Sequence, residues 1–449
     1  MTAGKNDRPR VSRDGRNPAV SHETTETAIE ECSVAASEPE TFGELHFGGA
    51  ELGDARRTKR LVRVANAIMR HPGGTLPEKM GGPAELEAMY HLMNCEEVTH
   101  ESVLAPHIAL TRKKIAEHDG FVLAIHDTTE LDFTTRESLS DRGQIGNGSH
   151  QGWLCHNTLI VDPVHREAMG LANQILHCRP VESKKETTAE KRSRLDRESR
   201  LWLQGVQSLP SDQKIVDVCD RGADTFEFLE HEVRSGRTFV VRSSYDRGTY
   251  CSDEKNATKT MLHPVARSLP SLGEWTMKVE ASKTKKTVRK TVNGKRISET
   301  VVVDRKAREA VVHVSASPVI VAAPRRHRGH HGNKPLPMWV VRVWEPNPPA
   351  GAEALEWILL TNHACTDLEA AQRVKSWYEC RWICEEFHKG QKTGCGIENP
   401  QFTSSDRLHP MIAILSVVAL SLLNLREYGR REDDKTRPAT DLFSAEYVN

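Results

Sequence analysis

Two short runs constrain this chain most: FVLAIHD (Phe121–Asp127) and KIVDVCD (Lys214–Asp220). Each is an apolar stretch of strand length, which reads as a buried strand of an α/β sheet. Each also closes on an aspartate. In such sheets, groups at the ends of strands line the functional edge, so Asp127 and Asp220 are placed to work together. WLCHNTLIVDP (153–163), REAMGLANQILHCR (166–179), RTFVVRS (237–243) and EWILLT (356–361) read as further strands. Between them, residues 185–205 read as a charged helix, and RGADTFEFLEHEV opens another.

The flanks differ in period. Residues 1–43 are polar and aperiodic, and read as a disordered extension. Residues 44–117 read as a small helical domain. In LGDARRTKRLVRVANAIMR, Asp54 is the expected cap, with Leu61, Val64, Ala65 and Ile68 facing inward and Arg56, Arg57, Lys59, Arg60 and Arg63 outward. Residues 118–428 form the sheet domain, with a basic, β-like stretch at about 243–345. From Lys278 to Arg308 there are 11 Lys and Arg against 3 Asp and Glu, and RRHRGHH (325–331) adds more positive charge, which makes plausible phosphate-facing patches. MIAILSVVALSLLNL (411–425) is shorter than the roughly 20 residues of a membrane span, so it reads as a buried helix behind Pro410, with 429–449 as a tail. The expectation is therefore a protein without a membrane partner.

Lys and Arg balance Asp and Glu at 62 each, so net charge alone neither requires nor excludes a polyanionic partner. The ten cysteines are scattered, with no paired CxxC knuckles, which points to reduced thiols in the cytoplasm. Cys380, Cys384 and His388 are spaced four apart like a zinc face, but a structural zinc takes four ligands and the sequence offers no fourth nearby.

Chemistry concentrates in YECRWICEEFHKGQK (378–392). On one continuous helix Tyr378, Arg381, Glu385 and Lys392 share a narrow polar stripe, with Glu385 within ~20° of Tyr378 and Glu386 at ~80°. A solvated face carrying an Arg381–Glu385 ion pair would give the same pattern. Asp217 lies three residues before Asp220, so pleat alternation sends it to the opposite face. Asp224 reads as a helix cap. Asp127, Asp220 and Glu385 thus form the preferred carboxylate set. Hard oxygen ligands of this kind suit Mg²⁺ or Mn²⁺, and a pair of such ions is the standard device for in-line attack on a phosphodiester.

LGDARRTKRLV, HDTTELDF, VCDRGAD, FVVRS, WILLT and YECRWICEEFHKGQKTG resemble, in content and order, segments of the IS4 family of DDE transposases, its Tn5-like members in particular. The resemblance covers about residues 42–428 and includes the family's Y-(2)-R-(3)-E-(6)-K signature. It implies an RNase H-like core with a β-rich insertion, preceded by a helical DNA-binding domain. Asp127, Asp220 and Glu385 would be metal ligands, and Tyr378, Arg381 and Lys392 would hold the transposon end. Trp357 would stack on a flipped base, although a core tryptophan in a strand remains open. Arg57 and Arg60 match basic positions of the end-recognition domain, and Arg242 one at the start of the insertion. The implied activity is cut-and-paste transposition by strand cleavage, hairpin formation and strand transfer. Its partners would be double-stranded transposon ends and target DNA, bound by a homodimer. The family's helical dimerisation domain has no counterpart in 429–449, which keeps a second reading: a shortened transposase acting as a DNA-binding regulator. A metal nuclease unrelated to transposition is a third.

Overall fold

Local signals in the sequence set the helix starts of the N-terminal region. Helix α1 (Phe42–Phe47) opens on a capping box in which Thr41 and Glu44 exchange side-chain bonds with each other's backbone N–H. The computed structural model describes residues 41–180, 186–212, 214–250, 258–279, 281–292, 295–324, 330–350, 352 and 354–430. The expected extension up to residue 40, the tail from 431 and most of the basic run 325–331 lie outside them.

Helix α2 (Ala55–Arg70) begins at Asp54, whose carboxylate accepts the Arg56 N–H, and buries Leu61, Val64, Ala65 and Ile68. Helices α3 (Leu76–Met80), α4 (Pro83–Met93) and α5 (His100–Glu117) follow. Asn66 of α2 accepts the Gly43 N–H at 2.6 Å, so the first two helices are joined through a buried amide.

The chain then turns to strands: β1 (Val122–Asp132), β2 (Gly143–Gln144), β3 (Gln151–Asp162) and β4 (Glu167–His177). Short helices α6 (Thr188–Ser193) and α7 (Leu201–Gln207) lead to β5 (Ile215–Cys219), α8 (Phe226–Ser235) and β6 (Thr238–Arg242). The charged helix expected over 185–205 is therefore broken. Its basic residues turn to partners outside a helical repeat: Arg194 pairs with Asp196 and Glu186, and Arg197 reaches Glu227 on α8. These tertiary ion pairs override helix propensity.

Next come β7 (Gly248–Tyr250), β8 (Thr260–Met261), α9 (Leu262–Ser268), β9 (Gly273–Val279), β10 (Ser282–Val292), β11 (Lys295–Arg305), β12 (Arg308–Val321), β13 (Leu336–Trp344) and β14 (Glu356–Thr361). Among the described residues, strands β10 and β11 pair with each other alone, as an antiparallel ribbon. Helices α10 (Leu368–Glu379), α11 (Trp382–Lys389) and α12 (Ser405–Arg430) complete the described chain.

The fold is mixed α/β on a mixed sheet. β4, β3 and β1 run antiparallel in sequence; β5 and β6 then add parallel to β1, and β14, β13 and β12 continue antiparallel. Helix α12 is longer than the 411–425 run because Pro410 sits near its start, where one missing N–H removes a single helical bond. By length and composition alone α12 could cross a membrane. Here most of its apolar side chains are packed in the core, with Met411–Leu415 and Val417–Ala419 sealed from solvent.

Candidate active site and DNA-binding region

Register brings the two aspartates together. The parallel pairing of β1 with β5 runs from Val122↔Ile215 to His126↔Cys219, so Asp127 and Asp220 are the next residues along each strand. Asp127 does not end its strand, as the sequence suggested: β1 continues to Asp132 because β3 pairs with it throughout, Asp127 opposite Asn157. The edge lies where β5 stops, and Asp220 turns there into a single 3₁₀ turn, its Oδ1 accepting the Gly222 N–H at 2.9 Å. Gly222 allows a close approach. A Cβ at that position would stand 2.3 Å from the Trp202 indole.

The third carboxylate comes from the opposite layer. The one continuous helix expected to carry Tyr378 through Lys392 is interrupted at Cys380–Arg381, where α10 ends and α11 begins, yet both residues keep near-helical backbone angles. The phase from Tyr378 to Glu385 therefore survives. Asp127, Thr128, Asp220, Arg221, Arg242, Tyr378, Arg381, Glu385 and His388 line one pocket of about 340 Å³. Arg381 bridges it, with Nη1 donating to Asp127 Oδ2 at 2.8 Å and Nη2 to Glu385 Oε1. Glu386 points elsewhere and pairs with Arg426 of α12.

Burial raises the Asp127 pKa to about 6; Arg381 opposes this, while the charges of Asp220 and Glu385 add to it. Burial also raises Asp220, against the pull of the Gly222 N–H, Arg381, Arg221 and Arg242. Burial alone would lower the Arg381 pKa, but Tyr378, Asp127 and Glu385 together hold it above the ordinary value. Asp127 thus feels both other carboxylates across a pocket whose other lining charges are three arginines. Oxygen donors in mutual repulsion fit a hard divalent cation, and the arginines fit a phosphodiester.

The remaining expected site residues fall into three groups. Tyr378 is buried, and the Trp357 ring meets it edge-on at 5.5 Å, so Trp357 stands just behind the pocket lining in β14. Lys392 leaves the stripe. It sits in a π-turn over Gly390–Gly394, closed by Cys395 N–H to Gly390 O at 2.9 Å, outside the pocket lining, with its ammonium 3.6 Å from Glu398 and its charge still felt by His388. Arg57 and Arg60 are on α2, far along the chain from the pocket. Arg57 pairs with Glu97 and donates to the Leu52 carbonyl, and Arg60 pairs with Glu85, while Arg56, Lys59 and Arg63 are exposed. Asp224 does not cap α8, where Thr225 takes that role; its backbone closes the 3₁₀ turn at Arg221–Ala223, and its carboxylate accepts the Ser244 and Tyr245 N–H groups and pairs with Arg247.

Sequence reasoning passed over Arg221, Thr128 and His388 as pocket residues. Signals existed for two of them: Arg221 follows Asp220 directly, and His388 lies three residues beyond Glu385, beside the stripe. A larger cavity, about 770 Å³, adjoins on the side of Gly222 and Trp202 and carries Arg142, Arg179, Lys191, Arg194 and Arg197 in its wall.

In comparison with known proteins, residues 39–98 match the family of transposase DNA-binding domains. The match spans α1 to α4 and includes Arg57 and Arg60. It supports a DNA-binding transposase with DNA as its partner. None of the pocket residues falls within it.

Proposed function

We propose that this chain is a DDE transposase of the IS4 type, in which α1 to α4 bind transposon ends and the Asp127–Asp220–Glu385 pocket cuts and joins DNA. The observation that carries this reading is the convergence of three carboxylates, from β1, from the end of β5 and from α11, on one pocket bridged by Arg381. The strand order β4-β3-β1-β5-β6, antiparallel and then parallel, supports an RNase H-like core, with β7 to β13 as its insertion.

Asp127, Asp220 and Glu385 would hold Mg²⁺ or Mn²⁺. When bound, a pair of such ions would activate the attacking oxygen and offset charge on the leaving one. The chain's own groups do the rest. Arg221, Arg242 and Arg381 would orient the scissile phosphate and counter charge on its oxygens. Asp127, with a pKa raised to about 6, is ionised above that pH and so is ready to ligate. Tyr378 presents a phenol that burial keeps protonated, able to donate to a phosphate oxygen. Trp357, edge-on to Tyr378, would receive a base flipped from the end. Two chains would pair two ends in the cytoplasm and deliver them to target DNA. The intact carboxylate set favours this enzyme over a purely DNA-binding regulator.

The deciding experiment is an in vitro reaction of the full chain with Mg²⁺ and DNA bearing the inverted repeats that flank its gene. Nicked and hairpin ends that disappear in Asp220→Asn are expected. End binding without any strand cleavage would replace the enzyme reading with the regulator.

A further inference from the structure

Helix α11 carries a second set of ligand-bearing atoms beside the oxygen pocket. Cys384 and His388 stand one turn apart, and both turn toward Asp127 of β1. One thiol sulfur, one imidazole nitrogen and one carboxylate oxygen of these residues lie within 4.8 Å of one another. Cys384 is fully buried, and Asp127 and His388 are each 9% exposed. Cys380, which the sequence grouped with them, does not belong to this set of mutually close ligand atoms. Its charged surroundings are Arg166, Glu379 and Asp162.

The hydrogen bonding fixes the state of the imidazole. Asn157 Nδ2 donates to His388 Nε2 at 3.1 Å, and the Cys384 sulfur lies 3.6 Å from the same nitrogen. An amide N–H can only donate, so Nε2 carries no proton and its lone pair is engaged by the Asn157 N–H, a hydrogen bond that an ion ligated at Nε2 would displace. Thiol, imidazole and carboxylate together suit a borderline-soft ion of the zinc class, whereas Mg²⁺ takes oxygen ligands. Bond lengths to zinc place tetrahedral ligand atoms ~3.3–3.8 Å apart, so small side-chain rotations close the present span. Because Asp127 and His388 also line the pocket, solvent can reach a fourth position.

We propose that Asp127, Cys384 and His388 form a binding site for a zinc-class divalent ion, which shares Asp127 with the all-oxygen set. On binding, the Cys384 S–H bond is replaced by a sulfur–metal bond and one proton leaves to solvent; nothing is oxidised or reduced. The ion competes with Arg381 for Asp127, and Arg381 keeps its bond to Glu385. An ion held there fixes Asp127 on sulfur- and nitrogen-bound metal, so the site is an off-switch for any chemistry that needs Asp127 in the oxygen set. Its existence does not depend on what reaction the pocket performs.

The test is a titration of the full, reduced, DNA-free chain with Co²⁺, a spectroscopic substitute for zinc. One equivalent of Co²⁺ per chain should give a sulfur-to-cobalt charge-transfer band that Zn²⁺ bleaches, with one proton released in weak buffer. Cys384→Ser should abolish the band. His388→Gln should weaken binding by more than the roughly 10–100-fold that outer partners of a metal site cost. Cys380→Ser, Asp220→Asn and Glu385→Gln should leave the band in place, and circular dichroism identifies any variant that fails to fold. Absence of the band in the native chain, or its persistence in a folded Cys384→Ser, overturns the proposal.

Discussion

Two faces of the same pair of strands handle the same residue types in opposite ways. On one face, Asp217 of β5 is sealed from solvent. Its oxygens take Arg237 Nε at 2.8 Å, Arg237 Nη2 at 3.2 Å and His126 Nε2 at 2.9 Å, so every lone pair that matters has a fixed donor. On the other face, one residue along β1 and three along from Asp217, Asp127 and Asp220 open onto a pocket. There a single guanidinium is shared between Asp127 and Glu385, and Asp220 accepts one backbone N–H. Both faces bury carboxylates beside arginine. What separates a structural ion pair from a reactive site is whether the partners are exhausted. Around Asp217 the donors are fixed and the cluster is sealed from solvent, and the fully buried Glu232 beside it is pushed well above the usual carboxylate range by burial and by the Asp217 charge; the outer carboxylates open instead onto a pocket lined by arginines.

The sharpest way to break this comparison is to remove the closed cluster. Asp217→Ala removes the hydrogen-bonded counter-charge of the Arg237 guanidinium, 4% exposed, and leaves Glu232 as the acid whose charge still acts on it; a buried ion pair broken from one side costs about 3–5 kcal/mol, less what Glu232 recovers. Urea unfolding of the variant should show a loss on that scale. A loss below about 1 kcal/mol would mean that Asp217 is no more committed than the pocket carboxylates.

The open face should respond in the other direction. Asp220→Asn and Glu385→Gln each remove negative charge from a crowded carboxylate set, so neither should destabilise the fold by more than ~1 kcal/mol. End cleavage should fall by about 10²–10³-fold or more, the scale of losing one preorganised group at a transition state. Paired unfolding and cleavage assays check both halves. Large destabilisation with cleavage intact would exchange the roles assigned to the two faces.

How much of this was legible beforehand follows from what pleat and helix periods can carry. Alternation along KIVDVCD separated Asp217 from Asp220, and helical phase separated Glu385 from Glu386, because both are short-range geometry. The extent of β1 was hidden, since it depends on β3 pairing beyond Asp127. The π-turn around Lys392 was hidden too: it inserts its extra residue without a mark in GQKTG. Arg57 and Arg60 looked like free surface cations, and their pairing with Glu97 and Glu85 comes from elements that periodicity does not bring together. The ligand cluster on α11 was half visible, since the sequence aligned Cys384 with His388 but had no means of supplying Asp127 from a strand.

A third buried polar contact, remote from both faces, gives a reference for acid. His107 Nε2 accepts the Leu171 N–H at 3.0 Å, so its proton is on Nδ1, where it donates to His46 Nδ1 at 3.0 Å. Both imidazoles are therefore neutral in the fold. Burial lowers the His46 pKa to about 3 and pushes His107 well below its usual value. The unfolded chain takes up protons below about pH 6.5 and the folded chain does not, so this contact stabilises above that pH and is lost as pH falls from 6.5 toward 3. Each histidine should contribute a loss of about 2 kcal/mol at pH 5 relative to pH 7.5. Stability measured across that range, in the native chain and in His46→Phe, isolates the contribution. An equal acid response in both would remove the pair as its cause.

The smallest effect makes the finest cut. Glu385 and Glu386 are the same residue type on the same helix, about 100° apart, and only the first faces Asp127 and Arg381. Glu386 pairs with Arg426, both about one-third exposed, where solvent screening holds an ion pair to ~0–1 kcal/mol. Glu386→Gln should therefore cost no more than about 1 kcal/mol in stability and leave end cleavage within a few-fold of native. Its neighbour's substitution should remove cleavage without unfolding the chain. If both glutamines were equally inactive, α11 as a whole rather than one oriented carboxylate would be what the chemistry needs, and the distinction between exhausted and open partners would no longer account for the site. If neither mattered, the third carboxylate would have to come from another element, and the convergence of β1, β5 and α11 would be packing alone.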